Sequence, residues 1–294
     1  MFTSLLVGLD GSTQAQVALA QAIVIGQRFH SRIVLAHVSP PSGRTGEMAL
    51  GAPWMEWTPG NAPSTRSELE QAAQVMLDDA AGAVRRAGLE AEMVSRSGVA
   101  HEVLRELAAE VGVVLVGRKG RRGSKAPGAD PLGPDTRELI RRCPRPVLVC
   151  GSRPTAMDRV LVAYAGGAVS EGTLAFAARF AGITGAHLDV LHVGTDPAEG
   201  GRTLARASGA LSLAPLDFET HFITGDLETA IPETVRRLGS NSLFAGAHRE
   251  ESGWLVPSHT QIILRLTDIP VLVHMQPAIS GARVSIATRR PASR

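Results

Sequence analysis

Two cysteines, a single tyrosine and 4% aromatic residues are all that this 294-residue chain carries of the groups that most often mark metal, redox or stacking sites. Cys143 and Cys150 stand seven apart, which fits neither a metal-ligand spacing nor a redox pair, so reduced, partly buried thiols are expected. No apolar run approaches the roughly 18 to 20 residues that a membrane-spanning helix needs. The opening Met1-Phe2-Thr3-Ser4 has no basic region and leads straight into an apolar stretch, so no secretory leader is expected and a cytoplasmic protein is. A net charge of +2 is too small for general affinity for nucleic acid. Residues 276–294 contain Arg283, Arg289, Arg290 and Arg294, no acid and no periodicity, and are expected to be a disordered basic tail.

What the chain does contain is a pattern written twice. Leu6-Val7-Gly8-Leu9-Asp10-Gly11-Ser12 returns as Leu161-Val162-Ala163-Tyr164-Ala165-Gly166-Gly167, and His37-Val38 as His192-Val193. Gly117-Arg118-Lys119-Gly120 returns as Gly246-Ala247-His248-Arg249, and Pro146-Val147-Leu148-Val149 as Pro270-Val271-Leu272-Val273. The order is kept, and the length allows two domains that each bury a core.

Within the first copy, apolar runs at Leu5–Leu9, Ile33–Val38, Val113–Val116 and Val147–Cys150 and a weaker one at Glu92–Ser95 read as strands. Amphipathic helices over Thr13–Phe29, from Thr65-x-x-Glu68 to about Ala87, over Ala100–Glu110 and over Asp135–Arg142 lie between them. Continuous apolar strands alternating with helices predict a parallel sheet covered on both faces, an α/β doubly wound domain of five strands in the order 3-2-1-4-5. The second copy repeats it, with strands near 159–163, 187–193, 217–223, 242–245 and 271–274. The expected organisation is 1–152, 156–275 and the tail 276–294.

In such a sheet small ligands bind beyond the carboxyl ends of the strands, where the order reverses. Three features of the first copy meet there. Asp10 follows the first strand and is either a helix-capping or turn residue or an acceptor for a base amino group or ribose hydroxyls. Gly117 and Gly120 follow the fourth strand and allow close backbone approach to an anion. Arg118, Lys119, Arg121, Arg122 and Lys125 put five cations in eight residues, leading toward Gly133 and a helix N-terminus that favours phosphate.

These residues together resemble the universal stress protein family in its tandem form, over roughly 1–150 and 158–275. The resemblance implies the fold just derived and, in nucleotide-binding members, ATP held by a G-x-x-G motif followed by nine residues and G-[S/T]. Asp10, Val38, Gly117, Gly120 and Gly133 match, with Thr136 at a second hydroxyl position. The implied ligand-lining set is Leu9, Asp10, Val38, Val116, Gly117, Lys119, Gly120, Gly133 and Thr136, holding ATP, with or without Mg2+, in the first domain only. The motif departs in three ways: twelve residues separate Gly120 from Gly133, Pro134 replaces the expected Ser or Thr, and Asp135 adds a negative charge. In the second copy Ala165, Arg249 and His259 stand where Asp10, Gly120 and Gly133 do, which predicts no ATP there. His248 and His259 lack an evident third ligand, so no metal site and no catalytic residue is assigned.

The last strand of each copy would be an uncovered apolar edge, an aggregation liability. Pairing the two last strands removes it and makes an internal pseudo-dimer, to which a homodimer of tandem chains could be added. Residues 40–63, with five prolines and Met48, Trp54, Met55 and Trp57, have no counterpart in the second copy and read as a cover over an edge or core, a ligand lid or a partner-docking patch. Three functions compete: a nucleotide-binding stress-response protein read by protein partners, an interaction module without nucleotide, and a slow ATP hydrolase.

Overall fold

The computed structural model describes residues 2–40, 66–120, 130–247 and 259–275. The 40–63 segment beyond Pro40, the cations Arg121, Arg122 and Lys125, residues His248 and Arg249, and the basic tail lie outside them. In the first half the order is β1 (Ser4–Leu9), α1 (Thr13–Phe29), β2 (Arg32–Ser39), α2 (Arg66–Arg86), β3 (Ala91–Ser97), α3 (Ala100–Leu107), β4 (Val113–Val116), α4 (Pro134–Arg142) and β5 (Val147–Val149). The second half follows with β6 (Arg159–Ala163), α5 (Ala168–Thr184), β7 (His187–Gly194), α6 (Pro197–Leu211), β8 (Phe218–Thr224), α7 (Leu227–Leu238), β9 (Ser242–Ala247), α8 (His259–Leu266) and β10 (Val271–Met275).

All ten strands join one sheet in the order β3-β2-β1-β4-β5-β10-β9-β6-β7-β8. Each half therefore has the expected order 3-2-1-4-5, and the two are joined through their last strands. Val147, Leu148 and Val149 pair antiparallel with Val273, Leu272 and Val271, and every other pairing is parallel. All six side chains at this seam are fully buried, so neither apolar strand is left as an edge.

Apolar runs are buried on both faces because helices cover both. α1, α2, α5 and α6 supply the core on one face, with Leu19, Leu77, Leu174 and Leu204 among them. α3, α4, α7 and α8 cover the other through Leu104, Leu139, Ile231 and Leu264. On the first of these faces the halves share an aromatic cluster: Phe2 stands 4.8 Å from Phe29, 5.6 Å from Phe176 and 5.5 Å from Phe180. The segment between the halves is fixed by fully buried Gln21, whose side chain donates to the Thr155 carbonyl at 3.0 Å and accepts the Thr155 N–H at 2.8 Å. Among the described residues no helix is long and apolar enough to cross a membrane.

Candidate functional site

β1 pairs with β2 on one side and β4 on the other. The helix after β1 packs on one face and the helix after β4 on the opposite one, so the chain leaves these neighbouring strands in opposite directions. A crevice opens between them at their carboxyl ends. The expected site residues lie at this end of the sheet: Leu9 ends β1 and Asp10 follows it, Val38 lies near the end of β2, Val116 ends β4, and Gly133 and Thr136 open α4.

The turn after β1 shows Asp10 in its structural role. Ser12 is the N-cap of α1, accepting the Ala15 N–H at 3.1 Å, and Gly11 carries the left-handed turn at φ 76°. Asp10 supports that turn by accepting the Ser12 N–H on Oδ1 at 3.0 Å. Its Oδ2 turns toward Gly120, 2.6 Å from where a Cβ would stand. The carboxylate thus holds a turn with one oxygen and brings the other close to the β4 loop.

The β4 loop is closed from inside. Gln14 Oε1 accepts the Lys119 N–H at 2.6 Å, and the Arg118 carbonyl accepts the Gly133 N–H at 2.8 Å. Thr136 donates its hydroxyl to the Gly117 carbonyl at 3.0 Å, and in the second half Thr260 donates to Gly246 at 2.9 Å. The hydroxyl therefore ties a helix start to a strand end in both copies. His37 does likewise: its Nδ1 lies 2.9 Å from the Leu9 carbonyl, and His192 Nδ1 lies 2.8 Å from that of Tyr164. Both repeated landmarks are parts of the scaffold.

Three glycines of the site differ in what demands them. A Cβ on Gly117 would meet Gln14 Cβ at 2.7 Å, as one on Gly246 would meet Val169 at 2.5 Å, so packing on the helix fixes both. Gly120 is favoured by Asp10, whose carboxylate would have to move aside for a β-carbon. Gly133 has neither reason: its φ of −68° suits any residue, and an added Cβ would meet Gly120 N and Lys119 Cα at an ordinary 3.4 Å.

Two charges depart from the expected phosphate cradle. Arg118 turns away from the crevice and crosses the seam, donating to the carbonyls of Leu264 and, at 3.1 Å, Ile269. It is 8% exposed, and burial holds its pKa below the ordinary arginine value against the opposing pull of Asp268 and Cys150. Asp135 pairs with His101 Nδ1 at 3.0 Å, and Pro134 occupies the first turn of α4, where a missing N–H costs no helix hydrogen bond. At the far end of the loop, Asp130 accepts from Arg137 at 2.9 Å and from Arg265 of α8 at 3.3 Å. Both ends of the loop that spans 118–130 are thus fastened to the second half. Gln14, Asp130 and Arg265 have no part in the sequence reading, and Arg118, read there as one of five cations near the phosphates, instead serves the seam.

The model of the Universal stress protein family matches residues 1–151 and again 157–274. The chain belongs to this family. Among its relatives is a universal stress protein, Slr1230 of Synechocystis, 28% identical over 215 residues that cover 71% of this chain and 74% of that one. A crystal structure of a universal stress protein from Archaeoglobus fulgidus superposes with a TM-score of 0.75 at 17% identity, covering 94% of this chain and 99% of that one. A putative universal stress protein from Pseudomonas aeruginosa gives 0.62 at 19% identity, with 93% of each chain covered. At these identities the two structures speak for the fold, which this universal stress protein shares through both of its halves.

Proposed function

We propose that the first half, 1–152, binds an adenine nucleotide, ATP with or without Mg2+, as a regulatory ligand that is not turned over, in a cytoplasmic stress-response protein whose state protein partners read. The observation that carries this reading is Gly133. The backbone conformation and the local packing both tolerate a side chain there, and the corresponding residue of the second half is a histidine. A bare position beside Gly120 N at the start of a helix is what close approach of a phosphate requires. The loss of Asp10, Gly120 and Gly133 together in the second half, as Ala165, Arg249 and His259, fits one site kept and one abandoned. The second half, 156–275, then serves as a built-in partner.

A second reading, an interaction module without nucleotide, has its own support. Arg118 is committed to the seam, Thr136 gives its proton to Gly117, and Asp135 leaves a carboxylate at the helix start. One experiment separates the two. Mass spectrometry of small molecules released from the freshly purified full chain is followed by calorimetric titration with ATP and magnesium. The first reading expects co-purified nucleotide or micromolar binding at one site per chain. It expects Gly133→Ala to weaken binding at least about tenfold, because the methyl crowds an acceptor approaching Gly120 N, while stability changes by no more than about 1 kcal/mol. An empty protein with no binding heat up to millimolar ATP overturns it in favour of the second.

A further inference from the structure

The second half carries a larger polar cluster than the first does at the same place in the sheet. Register sets Arg159 of β6 beside His187 of β7, Asp189 beside Glu219 of β8, and His221 two residues further along β8. Residues two apart on a strand share a face, so these side chains gather on one side of the sheet. In the first half the ion pair Arg32–Glu92 holds the positions of His187 and Glu219, while Val34 and Val94 hold those of Asp189 and His221, so the fold does not require the buried carboxylate or its second histidine.

The cluster centres on the fully buried Asp189. Its Oδ2 accepts from Arg159 Nε at 3.0 Å, while Oδ1 lies 2.8 Å from His221 Nε2 and 3.4 Å from His187 Nε2. Glu219 Oε2 is 3.9 Å from His221 Nε2, and donor atoms of His187, Asp189 and Glu219 all fall within 4.8 Å of one another. His187 Nδ1 lies 2.8 Å from Asp217 Oδ2, so in the neutral ring the proton is on Nδ1 and the lone pair on Nε2. That Nε2 is buried with no hydrogen-bond partner among the described residues. It faces a carboxylate oxygen, an arrangement of two lone pairs that asks for a positive charge between them.

We propose that this cluster is a site for a divalent transition cation of the zinc type, with His187 Nε2, Asp189 Oδ1 and Glu219 as ligands and the fourth position open to solvent, while His221 holds Asp189 in place. Three observations converge on it. Two ligands about 2.0–2.1 Å from a tetrahedral ion lie about 3.4 Å apart, the separation of His187 Nε2 from Asp189 Oδ1. Asp217 on the remote nitrogen of His187 is the carboxylate–histidine arrangement that fixes the tautomer and orientation of a metal-binding imidazole. Three carboxylates and one guanidinium leave two negative charges for a divalent ion to neutralise. Mixed imidazole and carboxylate donors favour zinc-type ions over calcium or magnesium. The cluster lies toward the beginnings of β7 and β8, away from the carboxyl strand ends, so it stands independently of any nucleotide.

Titration of the chelator-stripped full chain with Co2+, followed by its visible absorption, with Zn2+ as competitor, tests this. One equivalent should bind with a tetrahedral spectrum and be displaced by Zn2+, and His187→Gln should abolish it. Asp217→Asn alters a side chain 80% exposed, so the fold tolerates it, and it should weaken binding about 10- to 100-fold. Circular dichroism checks that each variant is folded. Absence of binding, or binding undiminished in both variants, overturns the site and leaves the cluster as a hydrogen-bonded network of the sheet alone.

Discussion

Single residues at the crevice respond to substitution according to what each is packed against. Gly120 and Asp10 form one unit, because the carboxylate held by Ser12 occupies the space a β-carbon at 120 would need. Gly120→Ala is expected to cost about 1 kcal/mol in urea denaturation, since the carboxylate must swing off its turn. Adding Asp10→Ala should return most of that loss, a coupling that a double-mutant cycle measures and that additive costs would refute. Cys150 responds to pH instead. Burial pushes its thiol up to about 12, with Arg118 pulling weakly the other way. Unfolded, it loses its proton near 9, so above that pH the unfolded state binds fewer protons than the folded one and stability falls as pH rises. Urea midpoints should decline from pH 9 upward in the native chain and less in Cys150→Ala; equal slopes would show that the thiol is not responsible.

At the level of elements, apolar runs and helix periodicity made most of the topology legible, because a strand buried on both faces and a helix with one apolar side leave unmistakable patterns. Thr13–Phe29 and Arg159–Ala163 have the bounds expected of them, and the aggregation argument placed β5 against β10. The third helix ends sooner, since Ala108–Glu110 tightens into a 3-10 turn before β4. What stayed hidden was the use of charged side chains across elements. A run of cations reads the same whether it faces solvent, a phosphate or a distant helix, and only the fold shows Arg118 reaching Leu264. The cluster on β7 and β8 was likewise invisible, although His187 and Asp189 alternate with buried Leu188 and Val190. Alternation in a strand that burial on both faces should make uniformly apolar was the missed signal.

Across the molecule, the seam makes each half a condition of the other. The β5–β10 ladder, the phenylalanines gathered around Phe2 and the clamp of Gln21 on Thr155 all belong to both halves, so urea should unfold the chain in one transition. The loop between β4 and α4 is subject to the same coupling, because Arg118 and Asp130 fasten its ends to α8 and the segment that follows it. At the position of Arg118 the second half has Ala247, which has no side chain to make the same tie in the other direction. Arg118→Met keeps much of the buried stem but leaves the carbonyls of Leu264 and Ile269 without their donor, at an expected cost of about 2–4 kcal/mol. Arg265→Ala, at a more exposed pair, should cost less than about 1 kcal/mol. The proposed nucleotide should bind more weakly to Arg118→Met than to the native chain although the arginine points away from the crevice, because the loop loses its anchorage. Two separate unfolding transitions, with binding indifferent to residue 118, would mean instead that the halves are joined without being coupled, and that the second copy contributes nothing to the first copy's site.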